Sequence, residues 1–157
     1  VFVPSAHQAQ LTATELIRLS VAAHGSAQMF ACQSSDHGAS SSGELSESVR
    51  GLLSTEHAHT LEFGIGVLHG KQPAALQREL VRMFESDRLG VLVATSDQAW
   101  KCRARAQLVV VKGTEAHDGV ALSCSQSSAH GRTGRELPLF HILAMVGRAG
   151  RPLMDSS

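Results

Sequence analysis

Val91-Leu92-Val93-Ala94-Thr95 is a short, continuous, mostly β-branched run, apolar at every position up to Thr95. A strand with one wet face alternates apolar with polar residues, whereas an unbroken run reads as a strand covered on both faces. That demands helices above and below, which points the chain to a parallel α/β sheet. Leu108-Val109-Val110-Val111 has the same character, and Phe63-Gly64-Ile65-Gly66-Val67-Leu68 is a further buried-strand candidate. Val1-Phe2-Val3-Pro4 reads as the end of another strand, so the chain is expected to be a piece of a longer polypeptide.

Helical periodicity fills the intervals. Ala13, Leu16, Ile17 and Val21 keep the template after Thr12 and predict a helix ending near His24-Gly25. Pro73 opens a second helix, with Leu76, Leu80, Met83 and Phe84 on one face before Gly90. Leu139, Ile142, Leu143 and Val146 fall at i, i+3, i+4 and i+7 and predict a last helix with that face in the core. Residues 33–48 are too polar to bury and read as a surface loop running into a short helix near Val49–Leu53; a second polar insert runs from about Gly119 to Arg135. Alternating strands and helices give a doubly wound parallel α/β sheet.

Composition narrows the function classes. The chain has 157 residues, 43% of them hydrophobic, enough for one core, and no apolar run approaches the roughly 20 residues of a membrane span. Lys+Arg and Asp+Glu are equal at 14 each, so contact with nucleic acid must come from local clusters. Cys32, Cys102 and Cys124 form no CxxC pair and suit reduced thiols in a cytosolic or nuclear setting. His57-Ala58-His59 lacks companion ligands at metal spacing, and no metal site is expected.

Ligands of doubly wound sheets sit beyond the carboxyl ends of the strands, where Ser5, His69, Thr95 and the residues after Val111 lie. The last helix leads into Gly147-Arg148-Ala149-Gly150-Arg151-Pro152. Guanidinium groups three residues apart on glycine hinges suit one phosphate, although a helix C-cap with cations on its dipole gives the same string. His130-Gly131-Arg132-Thr133-Gly134-Arg135 repeats the pattern without an apolar helix before it and reads as a solvated basic loop. Trp100 serves as a packed anchor or as a base-stacking platform.

Taken in order, these segments resemble the second RecA-like lobe of superfamily 2 DExH-box RNA helicases. Val1-Phe2-Val3-Pro4-Ser5 with Gln8 and Leu11-Thr12-Ala13 looks like motif IV and its helix; Gly64-Ile65-Gly66-Val67-Leu68-His69 looks like the strand before the family's histidine. Val91-Leu92-Val93-Ala94-Thr95 with Trp100 looks like motif V, Val110-Val111-Lys112-Gly113-Thr114 is similar to the following strand, and Met145-Val146-Gly147-Arg148-Ala149-Gly150-Arg151-Pro152 looks like motif VI. Within the family, the opening, Trp100 and the ending most resemble the second, C-terminal cassette of the spliceosomal members.

The resemblance implies a RecA-like sheet flanked by helices, a P-loop NTPase-like lobe without the P-loop. No Walker A pattern (GxxxxGK followed by Ser or Thr) and no DExH box occurs in the sequence. ATP with Mg2+ would thus be held mainly by a first RecA-like lobe of the same parent, with Gly147, Arg148, Gly150 and Arg151 facing the γ-phosphate. Arg151 would act as the arginine finger and Arg148 would bind alongside it. Ser5, His69, Thr95, Ser96 and Trp100 would meet the RNA sugar-phosphate backbone without reading sequence. The implied partners are RNA, the first lobe and spliceosomal proteins, with no membrane, in the nucleus.

Two departures from the family pattern point toward a degenerate cassette that docks proteins and regulates an active one. Ala144 stands where motif VI begins with glutamine. Lys101-Cys102-Arg103-Ala104-Arg105-Ala106 replaces the turn after the tryptophan position with a basic, helix-friendly segment whose charges add electrostatic affinity for RNA.

Overall fold

The computed structural model describes residues 1–24, 30, 51–116 and 135–150. Its sheet is β1 (Phe2–Val3), β3 (Val91–Thr95) and β2 (Ile65–Leu68), parallel and in that spatial order. The register sets Phe2 and Leu68 on either side of Ala94, and Val3 beside Thr95.

Alternate residues supply two cores, as expected for strands covered on both faces. Val3, Ile65, Val67 and Val93 meet Ala9, Ala13 and Ile17 of α1 (Ala6–His24). Phe2, Leu68, Leu92 and Ala94 face the other way, onto Leu76, Leu80, Met83 and Phe84 of α3 (Ala74–Glu85) and Met145 of α4 (Leu139–Val146). The doubly wound α/β reading therefore holds. The second helix follows Pro73 and buries the four residues read from its periodicity.

Helix α1 starts six residues before Thr12. The Ser5 hydroxyl accepts from the Gln8 amide at 3.2 Å and caps the first turn. Thr12 is a buried residue inside that helix, and Val21 lies outside the buried stripe.

The chain around Leu108-Val109-Val110-Val111 is a correction. Only a parallel bridge joins Val111 to Phe2, with Phe2 N donating to Val110 O and Lys112 N to Phe2 O, both at 2.8 Å. Val109 and Val111 pack on the core while Leu108 is 75% exposed. This is an edge segment covered on one face, so its apolar run does not mean burial on both.

The expected short helix near Val49–Leu53 falls partly outside the described residues; Gly51 and Leu52 form a turn. A helix follows instead at α2 (Thr55–Glu62), where the Ser54 side chain accepts from His57 N and only Thr60 and Leu61 are buried. The serine-rich stretch 33–48 and most of 119–135 lie outside the described residues. At the border of the latter, β5 (Arg135–Glu136) pairs antiparallel with β4 (Glu115–Ala116).

Helix α4 forms over the predicted residues with the opposite face inward. His141 and Met145 are buried, whereas Leu139, Phe140, Leu143 and Val146 are exposed. Nearly every position of Leu139–Val146 is apolar, so periodicity had no polar face against which to orient the helix. The sheet side is chosen by Met145 fitting the core and by His141 packing edge-on under the Trp100 ring at 5.8 Å.

Candidate functional site

Parallel strands in register deliver their ends to one level. Ser5 follows β1, His69 follows β2, and Thr95 closes β3, with a 3-10 turn (Ser96–Ala99) continuing from it. The structure thus gathers Ser5, His69, Thr95 and Ser96 at one end of the sheet. Thr95 and Ser96 are buried, while Ser5 and His69 are half-buried.

Side chains that sequence reasoning missed organise this end. Gln72 clamps the turn after β2: its Oε1 accepts from His69 N at 3.0 Å and its Nε2 donates to Val67 O at 2.9 Å. That fixes the amide orientation, so His57 Nε2, 3.4 Å from Gln72 Nε2, must accept. The His57 proton then sits on Nδ1 and donates to Ser54 Oγ at 2.6 Å. This arrangement favours the neutral form of His57, since an imidazolium would set donor against donor. The His57 and His69 rings lie 5.7 Å apart, and His69 Nδ1 is buried with no hydrogen-bond partner among the described residues.

Burial lowers the pKa of both histidines, and their mutual repulsion lowers that of His69 further, along with Lys71; Glu56 and Asp97 act in the opposite direction. The unfolded chain therefore binds protons below about 6.5 that the folded chain resists. The histidine contribution is fully present above that value and is lost as pH falls toward the folded pKa values. Hydrogen exchange of the segment 54–72 is expected to be slower at pH 7.5 than at pH 5.5 after correction for intrinsic rates. His57→Gln is expected to reduce that difference.

On β3, Thr95 Oγ1 donates to Asp97 Oδ1, and Gln98 Nε2 donates to Asp97 Oδ2 at 2.6 Å. A Cβ placed on Gly70 would sit 2.5 Å from Asp97 Oδ2, so glycine makes room for this carboxylate.

The other end of the 3-10 turn leads to the arginine site. Arg148 Nη2 donates to Ala99 O at 3.0 Å, and its Nε is buried with no partner among the described residues. The side chain also lines a cavity of about 750 Å³ with Phe84, Cys102, Ala104 and Val109. Burial pushes the Cys102 thiol up, away from reactive thiolate character. Gly147 ends α4, and Gly150 takes φ +90°, a conformation that favours glycine. Around them Ala106 N donates to Arg148 O at 3.0 Å and Gly150 N to Ala106 O at 2.9 Å, which pins the segment after α4. Arg151 lies outside the described residues.

Trp100 is half-exposed with its ring packed against Phe140 and His141, so it joins the anchor and the exposed-platform readings in one residue. After it the chain is extended, not helical: Cys102 and Ala104 point inward, and Lys101, Arg103 and Arg105 form an exposed basic stripe. The His59 ring packs at a tilt against Phe63, 5.0 Å between centroids, while His57 faces Gln72, so the pair diverges. Of the second GRTGR string, Arg135 alone falls among the described residues, in β5.

No protein-family model matches the chain. Over 99% of its length it is 33% identical to the DExH-box ATP-dependent RNA helicase DExH14 of Arabidopsis thaliana. It is 32% identical over its full length to DExH12 of the same organism. It is also 31% identical over 99% of its length to Activating signal cointegrator 1 complex subunit 3 of Danio rerio. The chain spans 6% of each Arabidopsis relative and 9% of the Danio rerio relative. The likeness covers the β1 opening, the strand ends and the arginine segment together, and supports a helicase domain.

Proposed function

We propose that this chain is the second RecA-like lobe of an ATP-dependent RNA helicase. The observation that carries the reading is the joint placement of Ser5, His69 and Thr95 at one end of the sheet. The 3-10 turn after Thr95 supplies the carbonyl that holds Arg148. Ser5 and His69 contact the RNA backbone, with Thr95, Ser96 and Trp100 beside them; short hydroxyl and imidazole groups suit phosphate oxygens and 2′-hydroxyls, so the grip ignores sequence.

Arg148 and Arg151 serve the nucleotide. The unspent, buried Arg148 Nε fits an anion acceptor, and Arg151 supplies the arginine finger to ATP whose Mg2+ and remaining phosphates lie with the first lobe. The remaining partners we infer are that first lobe and, from the likeness of opening and ending to the C-terminal cassette of the spliceosomal U5 snRNP helicase, spliceosomal proteins in the nucleus.

A second reading is a degenerate cassette that acts as a docking and regulatory scaffold. Ala144 and Arg103 at the departing positions favour it, as does the engagement of Arg148 by a protein carbonyl. ATP turnover by the full-length protein, with and without single-stranded RNA, separates the two: stimulation by RNA supports the motor, and absence of turnover supports the scaffold.

The basic stripe gives an independent expectation. Neutralising Lys101, Arg103 and Arg105 together to alanine is expected to reduce the salt dependence of RNA binding, lowering the magnitude of the log–log slope by about 2. Titrations from low to moderate salt measure it; an unchanged slope removes the stripe from the RNA path.

A further inference from the structure

We propose that Asp97 is an internal stand-in for an RNA phosphate: its carboxylate takes the hydrogen bonds of Thr95 and Gln98, and RNA reaches the end of β3 only by displacing it. The proposal rests on the reading of this end of the sheet as the RNA contact and adds a residue that opposes binding.

The geometry has three parts. Both carboxylate oxygens are occupied, Oδ1 by the Thr95 hydroxyl and Oδ2 by the Gln98 amide. Both donors are neutral, and Asp97 makes no ion pair with a described residue. A carboxylate held by neutral donors alone occupies a site that another anion can fill, because no cation pair has to be broken. Glycine at position 70 lets the backbone pack directly against this carboxylate, since a Cβ there would come within 2.5 Å of Oδ2.

A plain capping role fits less well. An acidic side chain that caps a turn accepts from backbone N–H groups at its start, whereas these oxygens are taken by side chains, and Thr95 at the cap position makes no side-chain capping bond. Asp97 also takes what RNA would need: the hydroxyl proton of Thr95, a residue only 4% exposed, is spent on the carboxylate. The Asp97 charge also acts on His69, where it opposes the effect of burial, so the same group bears on two of the proposed RNA contacts, Thr95 and His69.

The test is anisotropy titration of a fluorescein-labelled oligouridylate against the full-length protein. Asp97→Asn keeps shape and removes charge, and is expected to tighten binding by roughly tenfold through loss of like-charge opposition. The gain is expected to vanish when Thr95→Val is added, because the donor that the phosphate would take is then missing. An unchanged or weakened affinity overturns the proposal, and so does a gain that survives Thr95→Val, which would mark a general effect of net charge. His69→Ala reports the underlying reading by itself: weakened binding there with no gain from Asp97→Asn sinks the stand-in alone. If His69→Ala and Ser5→Ala both leave binding intact, the RNA contact and the stand-in fall together. Native hydrogen exchange over 91–100 is checked in each variant, and Asp97→Ser replaces Asp97→Asn if the latter fails it.

Discussion

Arg151→Ala in the full-length protein is expected to lower RNA-stimulated ATP turnover by about 10³-fold or more, as loss of an arginine finger does. RNA binding measured without nucleotide should change little, since under the proposed reading this arginine acts on the phosphoryl group. Arg148→Ala is expected to cost turnover as well, with a second effect that Arg151→Ala lacks. Its guanidinium ties the end of α4 to Ala99 O at 3.0 Å, so removing it also loosens the 3-10 turn and speeds hydrogen exchange over 96–102. Turnover unaffected by either substitution would exclude a catalytic part for the segment, and a native protein with no turnover at all would leave the scaffold.

Leu80→Ala is expected to carry the largest stability loss, about 2–5 kcal/mol for a fully buried leucine whose site cannot collapse. The side chain is 2% exposed and lies with Leu89 and Leu92 over Gly66, where β2 has no side chain of its own. Leu143→Ala on the outer face of α4 is expected to stay within about 0.5 kcal/mol. Urea midpoints followed by hydrogen exchange of the β2 and α3 peptides compare the two. A large loss at Leu143 would restore the inward orientation that periodicity suggested for that helix.

How legible the fold was depended on how much contrast each segment carried. Helix α3 was read with its buried face because Leu76, Leu80, Met83 and Phe84 stand among Gln77, Arg78, Glu79 and Arg82. Strands β2 and β3 were read because unbroken apolar runs have few other uses. Helix α4 was placed but turned over, since its composition offers no wet side, and α2 went unread because Thr55–Glu62 buries only two residues. The strand-end rule brought Ser5, His69 and Thr95 together correctly. It gave no hint of Gln72, Gln98 or Asp97, which are ordinary polar residues in the sequence and acquire their roles from partners that only the fold supplies. Ser54 three residues before His57 was the one available sign of α2, as an N-cap at the usual spacing.

The 3-10 turn Ser96–Ala99 is four residues long, roughly 8 Å at the rise of such a turn, with the Asp97 contacts near one end and the carbonyl that holds Arg148 at the other. So short a connector has little slack in which to hide a displacement. Under the proposed reading, a polynucleotide at Thr95 and a nucleotide at Arg148 compete or cooperate through one rigid element, and the thermodynamic cycle closes on a single factor. Whatever RNA does to nucleotide affinity, nucleotide does to RNA affinity in equal measure. The sign of that factor separates a lobe that grips both ligands at once from one that exchanges them.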